Sequence, residues 1–155
     1  MTPTVAFFHP DQLRFKPLYE WAFGEKIDHP ETTARAENIL AALEGSSEFT
    51  IREPLPVDPE MLRSTHSFQL LTLYNTARQL DEGVTFYPSV FPRSDQTAGD
   101  PTNLRHAGRF CFDSGTPLSA ETWDAATWSA ACAVSAARLV QDGAPLSYAL
   151  SRPPG

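Results

Sequence analysis

Apolar and polar positions change period along the chain, and each change predicts an element. Residues 4–8, Thr-Val-Ala-Phe-Phe, are short, apolar and β-favouring, and His9-Pro10 closes that strand. A polar and aromatic stretch runs from there to His29-Pro30. Residues 31–43 then carry Ala36, Ile39, Leu40 and Leu43 on one helical face, with Gly45 where a helix C-terminus needs it. Residues 48–52 alternate polar and apolar, the pattern of a half-buried strand. Asp58-Pro59-Glu60 reads as an N-cap, a first-turn proline and a first-turn acid. Ser67 is expected to cap a further helix to Leu80, with an inner stripe of Phe68, Leu71, Tyr74 and Arg78, and Gly83 ends it.

Residues 83–118 show no sustained period, and irregular segments of that length inside a domain are usually functional or disordered. Ser119 is the expected cap of the longest helix, 120–141, alanine-rich, with Glu121 in its first turn and Gly143 after its end. Residues 146–150 form the last predicted strand, followed by Arg152-Pro153-Pro154-Gly155. Strands alternating with helices give an α/β fold: a partial parallel sheet flanked by helices, in one domain over 1–155.

Composition narrows the class. A chain of 155 residues with 41% hydrophobic and 20% charged residues is globular. Its net charge of −7 argues against nucleic-acid partners, which demand a basic stripe. Two cysteines, Cys111 and Cys132, make no disulfide framework, and no CxxC pair marks a structural zinc. The apolar run at the N-terminus is too short for a signal-peptide core, and no window approaches the ~20 apolar residues of a membrane span. The expectation is a cytoplasmic protein without nucleic-acid or membrane partners.

Candidate chemistry is sparse. The histidines His9, His29, His66 and His106 show no metal-ligand spacing and read as loop or strand-end residues. Ser67 beside His66 reads as a helix cap, since a dyad requires facing geometry. There is no G-x-S-x-G, P-loop or G-x-G-x-x-G motif. Cys111, between Phe110 and Phe112, is expected to be a buried thiol. Asp113 within Asp113-Ser114-Gly115-Thr116-Pro117 is either a turn residue or a ligand-facing acid. On composition alone Arg14, Arg35, Arg105 and Arg109 are solvated surface charges.

Several stretches, in order, resemble the zinc-dependent deacetylases, meaning histone deacetylases and bacterial acetylpolyamine amidohydrolases. They are His29-Pro30-Glu31 with Arg35 and residues 36–42, then Leu62 to Ser67, the 87–93 loop, residues 115–126, and the terminal Ser151-Arg152-Pro153-Pro154-Gly155. The resemblance implies the N-terminal part of an arginase-deacetylase three-layer fold. It implies Zn2+ in the full-length family and hydrolysis of acetylated polyamine or acetyl-lysine substrates. In the family a His-His pair follows the RPPG segment, and the metal ligands come later still. No catalytic or metal residue of that set is therefore expected within 1–155, no zinc is expected on this chain, and the chain alone is expected to be inactive.

Arg35 matches the family's internal-channel arginine. A rim acid precedes the family's Thr-Pro or Ser-Pro step; Gly115 stands at that place here, with Asp113 two residues earlier as the substrate-rim candidate. Tyr87, Phe91 and Arg93 fall in the loop that shapes the channel entrance and dimer contacts. The alternative reading is a non-catalytic partner that complements a separate C-terminal half or dimerises with an intact homologue.

Overall fold

The centre of the first unit is β1 (Thr4–Phe7), which pairs in parallel with β4 (Phe49–Arg52) on one side and β5 (Ser147–Ala149) on the other. Val5 lies opposite Thr50 and Ser147, and Phe7 opposite Arg52 and Ala149. The computed structural model describes residues 2–89, 99–111 and 115–153. These form two compact units, Met1–Lys16 with Glu31–Asp58 and Asp124–Gly155, and Pro17–Pro30 with Pro59–Trp123.

Strand periodicity decides which helix covers which face of the sheet. Val5, Phe7 and Ala149 point to one face and pack on Cys132, Ala136 and Leu139 of α4 (Thr122–Gln141). Phe8, Leu150 and Ile51 pack on the opposite side against Ala36, Ile39 and Leu40 of α1 (Thr33–Glu44). The result is a parallel sheet flanked by helices, as the alternation of periods predicts. The 3-10 turn Pro10–Arg14 leaves β1 with His9 as its cap: the His9 Nδ1 accepts the Asp11 amide at 3.2 Å.

The second unit holds an antiparallel hairpin, β2 (Tyr19–Ala22) with β3 (Glu25–Asp28), within the polar and aromatic stretch before His29-Pro30. It also holds α2 (Pro59–Thr65), α3 (Phe68–Ala77) and a 3-10 helix at Leu104–Arg109. Leu73, Ala77, Ala107 and Leu118 are fully buried together, and Phe86 joins Leu118 by an isolated antiparallel bridge. Ser67 caps α3 as expected, its hydroxyl accepting the Leu70 amide at 3.2 Å.

Several boundaries shift. The α3 inner stripe is Leu73, Tyr74 and Ala77, whereas Phe68 is 75% exposed and Arg78 is exposed. The rotation arises because the buried partners, Ala107 and Leu118, lie in the aperiodic 83–118 stretch and select that side. α4 begins at Thr122 rather than 120, because Ser119 is buried and its amide donates to the Thr122 hydroxyl at 2.8 Å. Cys111 is half-buried, not buried.

The hairpin turns on Phe23 and Gly24, both with positive φ, +54° and +81°. Two positive φ values are the signature of the two-residue turn whose twist matches the strands. Glycine adopts it freely; a phenylalanine held there costs about 1–2 kcal/mol. The Phe23 side chain is fully exposed and recovers nothing by burial. Phe23→Asn is therefore expected to raise unfolding free energy by about 0.5–1 kcal/mol in urea titration. An unchanged or lower midpoint would contradict the turn assignment.

Candidate functional site

In open α/β sheets, ligands bind beyond the carboxyl ends of the strands. Here the segments leaving β1 and β5 meet at that end, and Arg152 joins them. Its side chain has no exposed surface. A guanidinium cannot shed its charge, so every donor must be matched inside the protein. Nη1 donates to the Gln12 carbonyl at 2.7 Å and to the Phe15 carbonyl at 2.6 Å. Nε donates to Glu31 Oε1 at 3.1 Å, and Nη2 lies 2.9 Å from Glu31 Oε2. Glu31 thus meets the guanidinium through one hydrogen bond, from Nε, and one close charge contact, at Nη2.

Gln12, also fully buried, ties the same segments through its side chain. Its Oε1 accepts the Arg152 amide at 2.6 Å, which fixes the amide orientation, and its Nε2 donates to the Leu150 carbonyl at 3.2 Å. Nε2 also approaches Cys132 Sγ at 3.5 Å. Beside this cluster the His9 ring stacks on Trp128, with centroids 3.6 Å apart and planes 6° apart. Ser151 donates from its hydroxyl to the Ser129 carbonyl at 3.1 Å, holding the exit from β5 on α4.

Arg35, one helical turn after Glu31, places Nη2 at 3.5 Å from Glu31 Oε1 and is about half exposed. Glu31 thus sits between two guanidinium groups, one buried and one partly solvated. Arg35 is not the isolated surface charge that composition suggests. Gly115 presents its carbonyl to His29 Nε2 at 3.0 Å, so the backbone at the family's rim position is used by a buried histidine. Tyr87 stacks on Tyr19 with centroids 4.4 Å apart. Asp113, Phe91 and Arg93 lie outside the described residues.

Comparison with known proteins decides the family. Over 161 aligned residues the chain is 33% identical to an acetylpolyamine amidohydrolase of Burkholderia pseudomallei, covering 97% of this chain and 45% of that protein. A crystal structure of acetylpolyamine aminohydrolase from Burkholderia pseudomallei superposes with a TM-score of 0.82 at 32% identity, over 98% of this chain and 45% of that one. The chain belongs to the acetylpolyamine amidohydrolase family of deacetylases. It matches the N-terminal part of such a deacetylase and spans less than half the length of these relatives. The HD domain of HDA15 shares the fold alone, with a TM-score of 0.64 at 18% identity over 98% of this chain and 37% of that one. No protein-family model matches the chain.

Among the described residues the donor set does not fit the zinc that this deacetylase family implies. Among the described residues no group of three or more His, Cys, Asp or Glu side chains could hold a metal ion. No step through a metal can be assigned to these residues. Among the described residues no helix is long and apolar enough to cross a membrane.

Gln12 and Arg152 carry no sequence signal as a pair, being 140 residues apart. The one available cue is an arginine two residues past the apolar 146–150 stretch, which demands a carboxylate partner if it is buried.

Removing the charge of Glu31 leaves the Arg152 guanidinium buried without compensation. Glu31→Gln is expected to cost about 3–5 kcal/mol in urea unfolding. Arg152→Met should cost much less in the Glu31→Gln background than in wild type, and additive costs would show that the two groups act independently.

Burial pushes the Cys132 thiol up to about 11, against smaller opposing contributions from Gln12 and the His9 backbone. The folded state therefore holds the thiol proton more tightly than the unfolded chain. This contribution to stability is complete below pH 9 and falls away as pH rises towards 11. At pH 8, iodoacetamide should label half-buried Cys111 well before Cys132, and equal labelling would contradict the burial of Cys132.

Proposed function

We propose that this chain is the N-terminal portion of a zinc-dependent amidohydrolase acting on acetylated polyamines or acetyl-lysine-type amides in the cytoplasm, and that it is inactive alone. The observation that carries the reading is the match across 97% of the chain to an acetylpolyamine amidohydrolase. Three-dimensional agreement with an acetylpolyamine aminohydrolase structure supports it.

Under this reading the chain's own residues supply scaffold and electrostatics, not the reacting groups. The buried Arg152–Glu31 pair and the Gln12 amide fix the backbone path at the exit of β5, just before the position where the family places its His-His pair. Arg35, beside Glu31 and partly exposed, is the internal-channel cation that attracts a departing carboxylate such as acetate. Tyr87, Phe91 and Arg93 belong to the entrance and dimer loop, and Asp113 to the substrate rim.

A complementing partner is favoured by one further feature. Among the described residues β5 pairs with β1 on one side only, so its outer edge presents unpaired backbone groups to a further strand. The test is to purify the chain with and without a co-expressed C-terminal half of the Burkholderia pseudomallei relative. The chain alone should release no acetate from acetylpolyamine or acetyl-lysine substrates. Bound zinc and acetate release should appear together in the complex. Hydrolysis by the chain alone would overturn the inactivity, and a complex without zinc or turnover would overturn the complementing role.

A further inference from the structure

We propose that His9 is a proton-operated latch: its neutral imidazole caps the 3-10 turn Pro10–Arg14, and its protonation releases that turn and slackens the turn's hold on Arg152. The His9 Nδ1 accepts the Asp11 amide at 3.2 Å, so the proton of the neutral ring is on Nε2. A second proton enters at Nδ1, where it turns the acceptor into a donor facing another N–H. The cap is then lost. The Asp11 carboxylate, 4.0 Å from the same nitrogen, is the acceptor that replaces it. The His9 side chain keeps 16% of its surface exposed, so water can deliver the proton.

The ring lies flat on Trp128, with centroids 3.6 Å apart and planes 6° apart. That contact fixes its plane and favours an imidazolium too, since the indole face attracts a cation. The ring therefore stays, and the turn moves to bring the Asp11 carboxylate to Nδ1. The turn carries the groups that hold Arg152. The Gln12 carbonyl and, just beyond the turn, the Phe15 carbonyl take Nη1, and the Gln12 side chain takes the Arg152 amide. Gln12 is itself tied to His9, whose carbonyl accepts both its backbone amide and its Nε2 at 3.3 Å. Other charged and titratable groups surround the ring on each element. The turn adds Arg14, which is exposed. On α4, Asp124 lies one turn before Trp128, and the Cys132 thiol, pushed up to about 11 by burial, stays neutral. At the β5 exit Arg152 is already matched by Glu31.

The latch involves no substrate and no hydrolysis, so its success or failure is separate from the deacetylase reading. The experiment is an NMR titration of the isotope-labelled 155-residue chain from about pH 8 to about pH 5, the range in which histidines titrate. At the basic end the His9 ring nitrogens should show the Nε2–H tautomer. On acidification the Asp11 amide proton should move upfield with the same midpoint as the His9 ring. With the intrinsic pH dependence of exchange removed, the Arg152 amide should exchange with solvent about fivefold faster once the ring is charged, as for the loss of one helix cap.

His9→Asn keeps a capping oxygen that cannot titrate and should flatten both responses. Asp11→Asn should keep the step at its backbone amide, because that step belongs to the imidazole. Trp128→Leu frees the ring to turn, so the Asp11 amide should still respond while the Arg152 response shrinks. The proposal is overturned if, in the wild-type chain, the Asp11 amide stays in place while the His9 ring titrates, or if Arg152 exchange does not follow the ring. Responses that persist in His9→Asn, an amide step lost in Asp11→Asn, or an undiminished Arg152 response in Trp128→Leu overturn it too.

Discussion

A guanidinium without water shapes the unit built on β1. Arg152 is fully buried, and its charge cannot be neutralised by proton loss. Everything near it must therefore supply oxygen: two backbone carbonyls from the segment after β1 and the carboxylate that precedes α1. The same demand explains why Gln12 is buried, because its side-chain oxygen takes the Arg152 amide while its nitrogen takes the Leu150 carbonyl. Four stretches of chain, leaving β1, entering α1, leaving β5 and running along α4, are brought together by polar requirements. Hydrophobic contacts alone would leave their relative register loosely specified.

That arrangement places charge where an open α/β sheet can use it. Glu31 is shared by Arg152 and Arg35, so the carboxylate anchors the buried cation and also sets the local field around the half-exposed one. A single acid thereby couples the stability of the β5 exit to the electrostatics of a neighbouring arginine. The stacked His9 and Trp128 rings add a rigid apolar wall beside the cluster.

Much of the sheet was legible from residues 4–8, 48–52 and 146–150, because strand periods and a buried parallel sheet leave a strong local pattern. The α1 and α4 helices were legible for the same reason, with their starts displaced by one turn or less. The β2–β3 hairpin was not legible. Its turn is Phe-Gly, not Asn-Gly, and its strands are too exposed to alternate cleanly. The α3 stripe was rotated because its partners come from an aperiodic segment. The core of the polar cluster was illegible for a different reason: Gln12, Glu31 and Arg152 become a unit only through contacts 121 and 140 residues apart, to which no local period responds. Resemblance to deacetylases supplied the family, and Arg35 was singled out on that ground alone.

The order of strands, β4-β1-β5, has a consequence for synthesis. The central strand is made long before its β5 neighbour, with the Ser147 hydroxyl bonding the Val5 carbonyl across 142 residues. At ~5–20 residues per second that neighbour arrives roughly 7–28 s after β1 is made. Throughout that interval one edge of β1 and the apolar side chains of Phe7 and Phe8 have no β5 segment to close over them. Slower synthesis of the alanine-rich helix before β5 would lengthen the time for which that strand edge stays open.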